Sequence, residues 1–182
     1  MFISPFTKLS NRDEKKLTST IFSILIMALL VTSFFNSQLT NEVASYGIIS
    51  FELAESVDRS IEIMNSWDPR ARIFAGLSLG FDYLFLLIYT LFISLMVHKL
   101  NERLWAGKPF HYLGIIILWG MFFAAIFDAL ENLALIKLLT GSHEQLWSSV
   151  AFYFAFIKFF LVIIGILYIV INTIMFLVKK IS

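Results

Sequence analysis

The sequence predicts an all-α fold: a four-transmembrane-helix bundle with a short helical extracytoplasmic lid between helices 1 and 2. Composition is the first observation behind this prediction. Of the 182 residues, 59% are hydrophobic and 15% are charged, whereas soluble domains carry roughly 25% charged residues. The second observation is a set of four apolar runs, each long enough to cross a bilayer. Together they indicate a single integral membrane domain, residues 1–182.

Composition also narrows the classes of function. The net charge is +1, so the charge balance predicts no nucleic-acid partner, and membrane lipid is the surrounding that we expect. The sequence contains no cysteine, which excludes disulfides, thiolate metal sites and cysteine redox chemistry. No cofactor is predicted, and the oligomeric state is left open.

The four spans are predicted at about residues 17–35, 71–97, 113–139 and 146–178. No small-x-small cleavage motif follows the first run, so we expect an uncleaved helix there. Asp68 followed by Pro69 predicts the start of the second span, with an N-cap and then proline at the first helical position. One stripe of the first span is predicted to face the other helices, because it holds Ser19, Ser23, Ser33 and Ser37. Three tryptophans near span ends are predicted to be interfacial anchors: Trp67, Trp105 and Trp147.

The lid is predicted at about residues 43–67. This segment is mostly apolar around Glu52, and Ser56 is placed to cap a short helix that ends near Trp67. In that helix Val57, Ile61 and Met64 form an apolar stripe, which predicts packing over the bundle. The segment is acidic, whereas the N-terminal arm, the loop at residues 98–112 and the C-terminus are basic. By the positive-inside rule both termini are cytoplasmic in a cell inner (plasma) membrane, and the lid lies outside.

Residues 122–137, FFAAIFDALENLALIK, place three polar side chains inside an apolar span. Asp128, Glu131 and Asn132 are three and four positions apart, so they share one helical face. A carboxylate in hydrocarbon costs several kcal/mol, so it needs a partner, a proton or a cation. The pattern therefore predicts a site in the third span.

Two other spans deliver ionisable groups to the same level. Asp82, Asp128 and Lys158 each lie about eleven residues from the outer end of their span, which is ~16 Å deep at 1.5 Å per residue. Tyr89 follows Asp82 by two turns on the same face. On the fourth span a seam of small and polar residues repeats every seven positions: Ala151, Lys158, Gly165 and Asn172. We therefore expect the three spans to converge around these groups.

The charges in this cluster do not balance. Three carboxylates against one lysine leave a formal excess of two negative charges, and an inward-folded Glu52 would enlarge it. Such an excess at low dielectric is relieved by a proton or by a bound cation. The sequence thus predicts an acidic pocket, open to the extracytoplasmic side, that binds a small cationic or polar amphiphilic ligand. The predicted ligand-binding residues are Asp82, Asp128, Glu131, Asn132, Lys158, Glu52 and Tyr89.

Three motifs in order carry a resemblance to a known family. FELA at residues 51–54, FDYLF at 81–85 and the DxxEN pattern at 128–132, with a tryptophan before the second span, resemble a family of small bacterial four-helix integral membrane proteins. The resemblance covers about residues 47–158 and implies no activity. The chain is more loosely similar to the four-helix sterol-isomerase and sigma-2-receptor group, in which intramembrane acids hold an amine or carbocation. Those isomerases also use a membrane histidine and tryptophan, which this chain lacks at depth.

Three alternatives remain open at the level of sequence. The chain is a membrane enzyme if one carboxyl group acts as acid and another as base on a lipid-like substrate. It is a proton-coupled transporter if the same carboxylates shuttle protons. The polar groups are structural if they only fix the register of the helices. No metal site is predicted, since oxygen ligands alone favour only calcium, magnesium or manganese.

Overall fold

The computed structural model of the chain is a bundle of four long helices with two short helices across one end. It describes residues 3–181, with side chains through residue 179. The six helices are α1 (Asn11–Ser37), α2 (Ile48–Glu52), α3 (Val57–Ser66), α4 (Pro69–Trp105), α5 (His111–Leu139) and α6 (Gln145–Ile181). The described residues contain no strand, so the predicted all-α four-helix bundle is confirmed.

The long helices α1, α4, α5 and α6 are each long and apolar enough to cross a membrane. All four contain the predicted spans and extend beyond them. The largest difference is at the end of α4, which continues to Trp105 rather than Val97. Hydropathy falls after Val97, but most of the residues that follow are good helix formers, and Leu100 and Leu104 are four positions apart, so the helix continues as the apolar span ends.

Helix α5 packs against both α4 and α6, which also contact each other, while α1 packs mainly on α4 at the periphery. The predicted packing stripe of α1 is wrong, because all four of its serines are exposed: Ser19, Ser23, Ser33 and Ser37. Ser23 Oγ instead donates to the carbonyl of Ser19 in its own helix at 3.1 Å, so its hydroxyl needs no neighbouring helix. The packing face of α1 is apolar and small, with Ile21 and Ala28 buried.

The short helices α2 and α3 form the predicted lid at the end where α4 begins. Ser56 caps α3 by accepting from the Arg59 amide at 3.2 Å. Phe51 and Trp67 pack edge to face with ring centroids 5.5 Å apart. The interfacial role predicted for Trp67 is wrong: the residue is 2% exposed and donates its indole N–H to the Leu39 carbonyl at 2.8 Å.

Side chains from two long helices hold the lid in place. Asn36 Oδ1, at the end of α1, accepts from the Ile48 amide at 2.9 Å. Gly47 turns the chain into α2 with φ 60°, and a Cβ there would overlap the Asn36 side chain, so only glycine fits. At the other side, Gln145 of α6 donates to the Glu55 carbonyl at 2.9 Å. The same amide accepts from the backbone N–H of the first residue of α3.

Candidate functional site

Lys158 of α6 is the centre of a buried ionic cluster. Its ammonium donates to Asp128 Oδ1 at 2.7 Å and to Glu131 Oε1 at 2.9 Å. The other Glu131 oxygen lies 2.8 Å from the same nitrogen, in ionic contact but outside hydrogen-bond geometry. Lys158 is 6% exposed, and the two acids are 2% and 0% exposed. All three charges are thus removed from solvent by the bundle.

Close packing of α5 and α6 brings these groups together. The predicted seam of α6 faces the bundle, since Ala151, Lys158, Gly165 and Asn172 are all buried. A Cβ on Gly165 would lie 2.8 Å from Met121 Sδ, closer than real Cβ contacts. Small residues at the contact let the backbones approach, so the lysine one heptad away reaches the acids without leaving the seam.

Tyr89 and Asn132 extend the cluster toward α4. The Tyr89 hydroxyl donates to Asp128 Oδ2 at 2.8 Å, so both oxygens of that carboxylate are engaged. Asn132 donates to Asp82 Oδ2 at 2.6 Å. Asp82 makes no ion pair with Lys158 within 4.0 Å, although their predicted depths agree. Asp82 therefore joins the cluster through Asn132, one turn further along α5 than Asp128.

Glu52 reaches the same cluster from the lid. Its Oε2 lies 3.5 Å from the Lys158 ammonium, and the residue is 8% exposed. This oxygen is buried and accepts no hydrogen bond from the described residues. A carboxylate oxygen without a donor is expensive to bury. Glu52 is thus the least satisfied member of the cluster.

Glu52 adds a fourth acid to the three intramembrane acids, so the cluster carries more negative charge than those three alone would give it. Glu52, Asp82, Asp128 and Glu131 face a single ammonium, which is a formal excess of three negative charges when all are ionised. The described side chains contain no group of three or more acids and histidines arranged to hold a metal ion. The Lys158 ammonium already occupies the point on which three of the carboxylates converge.

A cavity of about 510 Å³ lies against this cluster. Its polar wall contains Glu52, Asp82, Asp128, Asn132, Tyr89 and Lys158. Its other walls are largely apolar and come from α1, α2, α4 and α6. Of the predicted site residues, only Glu131 does not line the cavity, because it lies behind Lys158 and is fully buried. The arrangement can accept a molecule with a polar head and an apolar body.

Sequence reasoning missed a second polar cluster at the other end of the bundle. The Tyr168 hydroxyl donates to Asn101 at 3.0 Å, and Trp105 donates to Asn172 at 2.6 Å. His98, at the predicted edge of the loop, is 5% exposed inside α4. Asn101 follows Ser94 by two turns on the same helical face, and this seven-residue spacing of polar residues could have predicted the cluster from the sequence. These groups line no described cavity and lock α4 to α6.

The fold and the cluster define the class: a membrane-type four-helix bundle with a buried, negatively unbalanced ionic cluster beside a cavity. Comparison with protein-family models, curated proteins and solved structures finds no match to this chain. The bacterial family suggested by the FELA, FDYLF and DxxEN motifs therefore stays a prediction, as does the looser likeness to the sterol-isomerase group.

Proposed function

We propose that the protein binds a small cationic amphiphile in the cavity beside Lys158. The observation that carries this proposal is the Glu52 carboxylate, nine-tenths buried at the cavity wall, with an oxygen that accepts no hydrogen bond from the described residues. A ligand ammonium in the cavity beside Glu52 gives this carboxylate a second cationic partner. It also reduces the excess negative charge of the cluster, which is a second contribution that favours binding.

The cavity supports selection for cations over neutral or anionic molecules. Only one oxygen of Asp82 accepts a hydrogen bond from a described residue, which leaves the other for a ligand. The rings of Phe85, Tyr89 and Phe159 line the same cavity, and aromatic faces attract cations at short range. An anionic head group would instead meet carboxylates within a low-dielectric site.

The proposal includes an orientation in a cell inner (plasma) membrane. Basic residues of the N-terminal arm, the loop between α4 and α5, and the C-terminus support a cytoplasmic position for both termini. The lid, which carries Glu52, then faces the extracytoplasmic side.

The proposal is tested by thermal unfolding of the protein in lipid nanodiscs with octylamine as the probe. We expect octylamine to raise the unfolding temperature, because a ligand that binds only the folded state stabilises it. Octanol and octanoate, which have the same chain and no positive charge, are expected to have little effect. Equal stabilisation by octanol and octylamine would sink the proposal.

Two glutamine variants separate the site from general electrostatics. Glu52→Gln should weaken octylamine binding by about tenfold or more, since a hydrogen bond to a charged group contributes about 1.5–3 kcal/mol. Glu42→Gln removes an equal charge from an exposed position outside the cavity, so its octylamine affinity should match that of the unchanged protein.

A further inference from the structure

The cavity has an apolar extension away from the acidic cluster, between α1 and α6. On the α1 side it is lined by Leu25 and Leu29, and on the α6 side by Val162 and Ile166. Ile166 follows Lys158 by about two turns, so this extension reaches ~12 Å past the ammonium along the helix axis. The polar head site and this apolar region are parts of one continuous cavity.

The same extension is open toward the surface that faces lipid. Helix α1 packs mainly on α4 and does not close against α6. Leu29 and Ile166 are 44% and 46% exposed although they line the cavity, so the gap between the two helices is open along its side. A ligand's alkyl chain in this gap would keep one side in contact with lipid, so it would not have to leave the bilayer in order to bind.

We infer that the gap between α1 and α6 is an alkyl-chain subsite, and that the ligand is a single-chain amine which reaches the acidic cluster sideways from the bilayer. The amine contacts Glu52 and Asp82, and its chain lies along Leu25, Leu29, Val162 and Ile166. Charge complementarity at one end and apolar walls at the other fix the direction of the ligand. The inference rests on the proposed function, because it takes the acidic cluster as the amine site.

Photolabelling in proteoliposomes tests the subsite. The probe is octylamine carrying a diazirine at the end of its chain, with adducts located by mass spectrometry of peptides. We expect adducts on α1 around Leu29 and on α6 around Ile166. Excess butylamine should abolish them, because it competes for the amine site while its chain is too short to fill the gap.

Matched tryptophan variants test the route. Val162→Trp places a large ring in the gap and should eliminate the adducts, and Leu29→Trp should do the same from the α1 side. Ile163→Trp and Leu30→Trp are the controls, because these neighbours are exposed and do not line the cavity. Their adducts should persist at the level of the unchanged protein.

The outcomes distinguish the two proposals. Adducts that depend on Glu52 but fall on α3 or α5 would overturn the alkyl-chain subsite and leave the amine site standing. Adducts in the gap that survive Val162→Trp and Leu29→Trp would also overturn it. Absence of any adduct that butylamine removes would overturn both the subsite and the proposed function.

Discussion

At the scale of single residues, Lys158 decides the stability of the cluster. Lys158→Met leaves Asp128 and Glu131 buried without their cation, and breaking a buried ion pair in this way costs about 3–5 kcal/mol. We expect a correspondingly large fall in the unfolding temperature measured in nanodiscs. The methionine keeps the length of the chain, so packing along the α6 seam is little changed.

The contacts of Lys158 predict which second substitution restores stability. Asp128→Asn in the Lys158→Met background removes a carboxylate that touched the ammonium, so it should recover much of the loss. Asp82→Asn in the same background should recover less, because Asp82 bonds to Asn132 and makes no ion pair with Lys158. Equal recovery by both double variants would contradict the geometry of the cluster.

At the scale of helices, the contact of α5 with α6 depends on Gly165. Gly165→Ala adds a Cβ that meets Met121 and Ile93 at 2.8 and 2.9 Å, so it should destabilise the bundle by about 1–3 kcal/mol. Gly120→Ala is the control, because its Cβ would meet only Leu161 at an ordinary 3.7 Å. There the better helix propensity of alanine should leave stability equal or higher. Thermal unfolding of the two variants gives the comparison.

The orientation of the helices is tested by single cysteines in this cysteine-free chain. Position 55 lies in the lid and position 108 in the loop at the other end of the bundle, and both are exposed. We expect an impermeant thiol reagent to label Glu55→Cys on intact cells and to label Lys108→Cys only after the membrane is opened. The reverse pattern would overturn the proposed orientation.

The helices and their inner faces can be predicted from the sequence, because a charged side chain in a membrane span faces the bundle interior rather than lipid. The buried seam of Lys158 and Gly165 and the inward faces of Asp128 and Glu131 are predictable for that reason. The contact face of α1 is not, because serine hydroxyls satisfy themselves within their own helix. The separation of Asp82 from Lys158 is also not predictable, since equal depth does not fix how helices are rotated about their axes.

At the scale of the whole molecule, the apolar core has two parts with the ionic cluster between them. One part joins the lid to the adjoining ends of α4, α5 and α6, and includes Phe51, Ile63 and Trp67. The other joins α1 to the halves of α4, α5 and α6 that lie away from the lid, and includes Phe6, Ile21 and Tyr168. Each part buries its own apolar surface, so they need not loosen together.

This division predicts local rather than global loosening after a lid substitution. Phe51→Ala removes a side chain that is 1% exposed, and a buried phenylalanine contributes about 3–5 kcal/mol. Hydrogen exchange should quicken in α2 and α3 while amides of α4 and α5 near Tyr168 stay protected. Phe6→Ala in the other part should leave exchange in α2 and α3 unchanged. Uniform acceleration throughout the chain in Phe51→Ala would argue against two separable parts.

The hydrogen bond that the Ile48 amide donates to Asn36 couples the end of α1 to the first residue of the lid helix α2. Gly47 packs so closely on the Asn36 side chain that the two residues have little room to move relative to each other. Glu52 lies one turn after Ile48, so a tilt of α1 that widened its gap to α6 would also move the Glu52 carboxylate relative to Lys158. The width of the gap between α1 and α6 and the position of the Glu52 carboxylate are therefore coupled through Asn36.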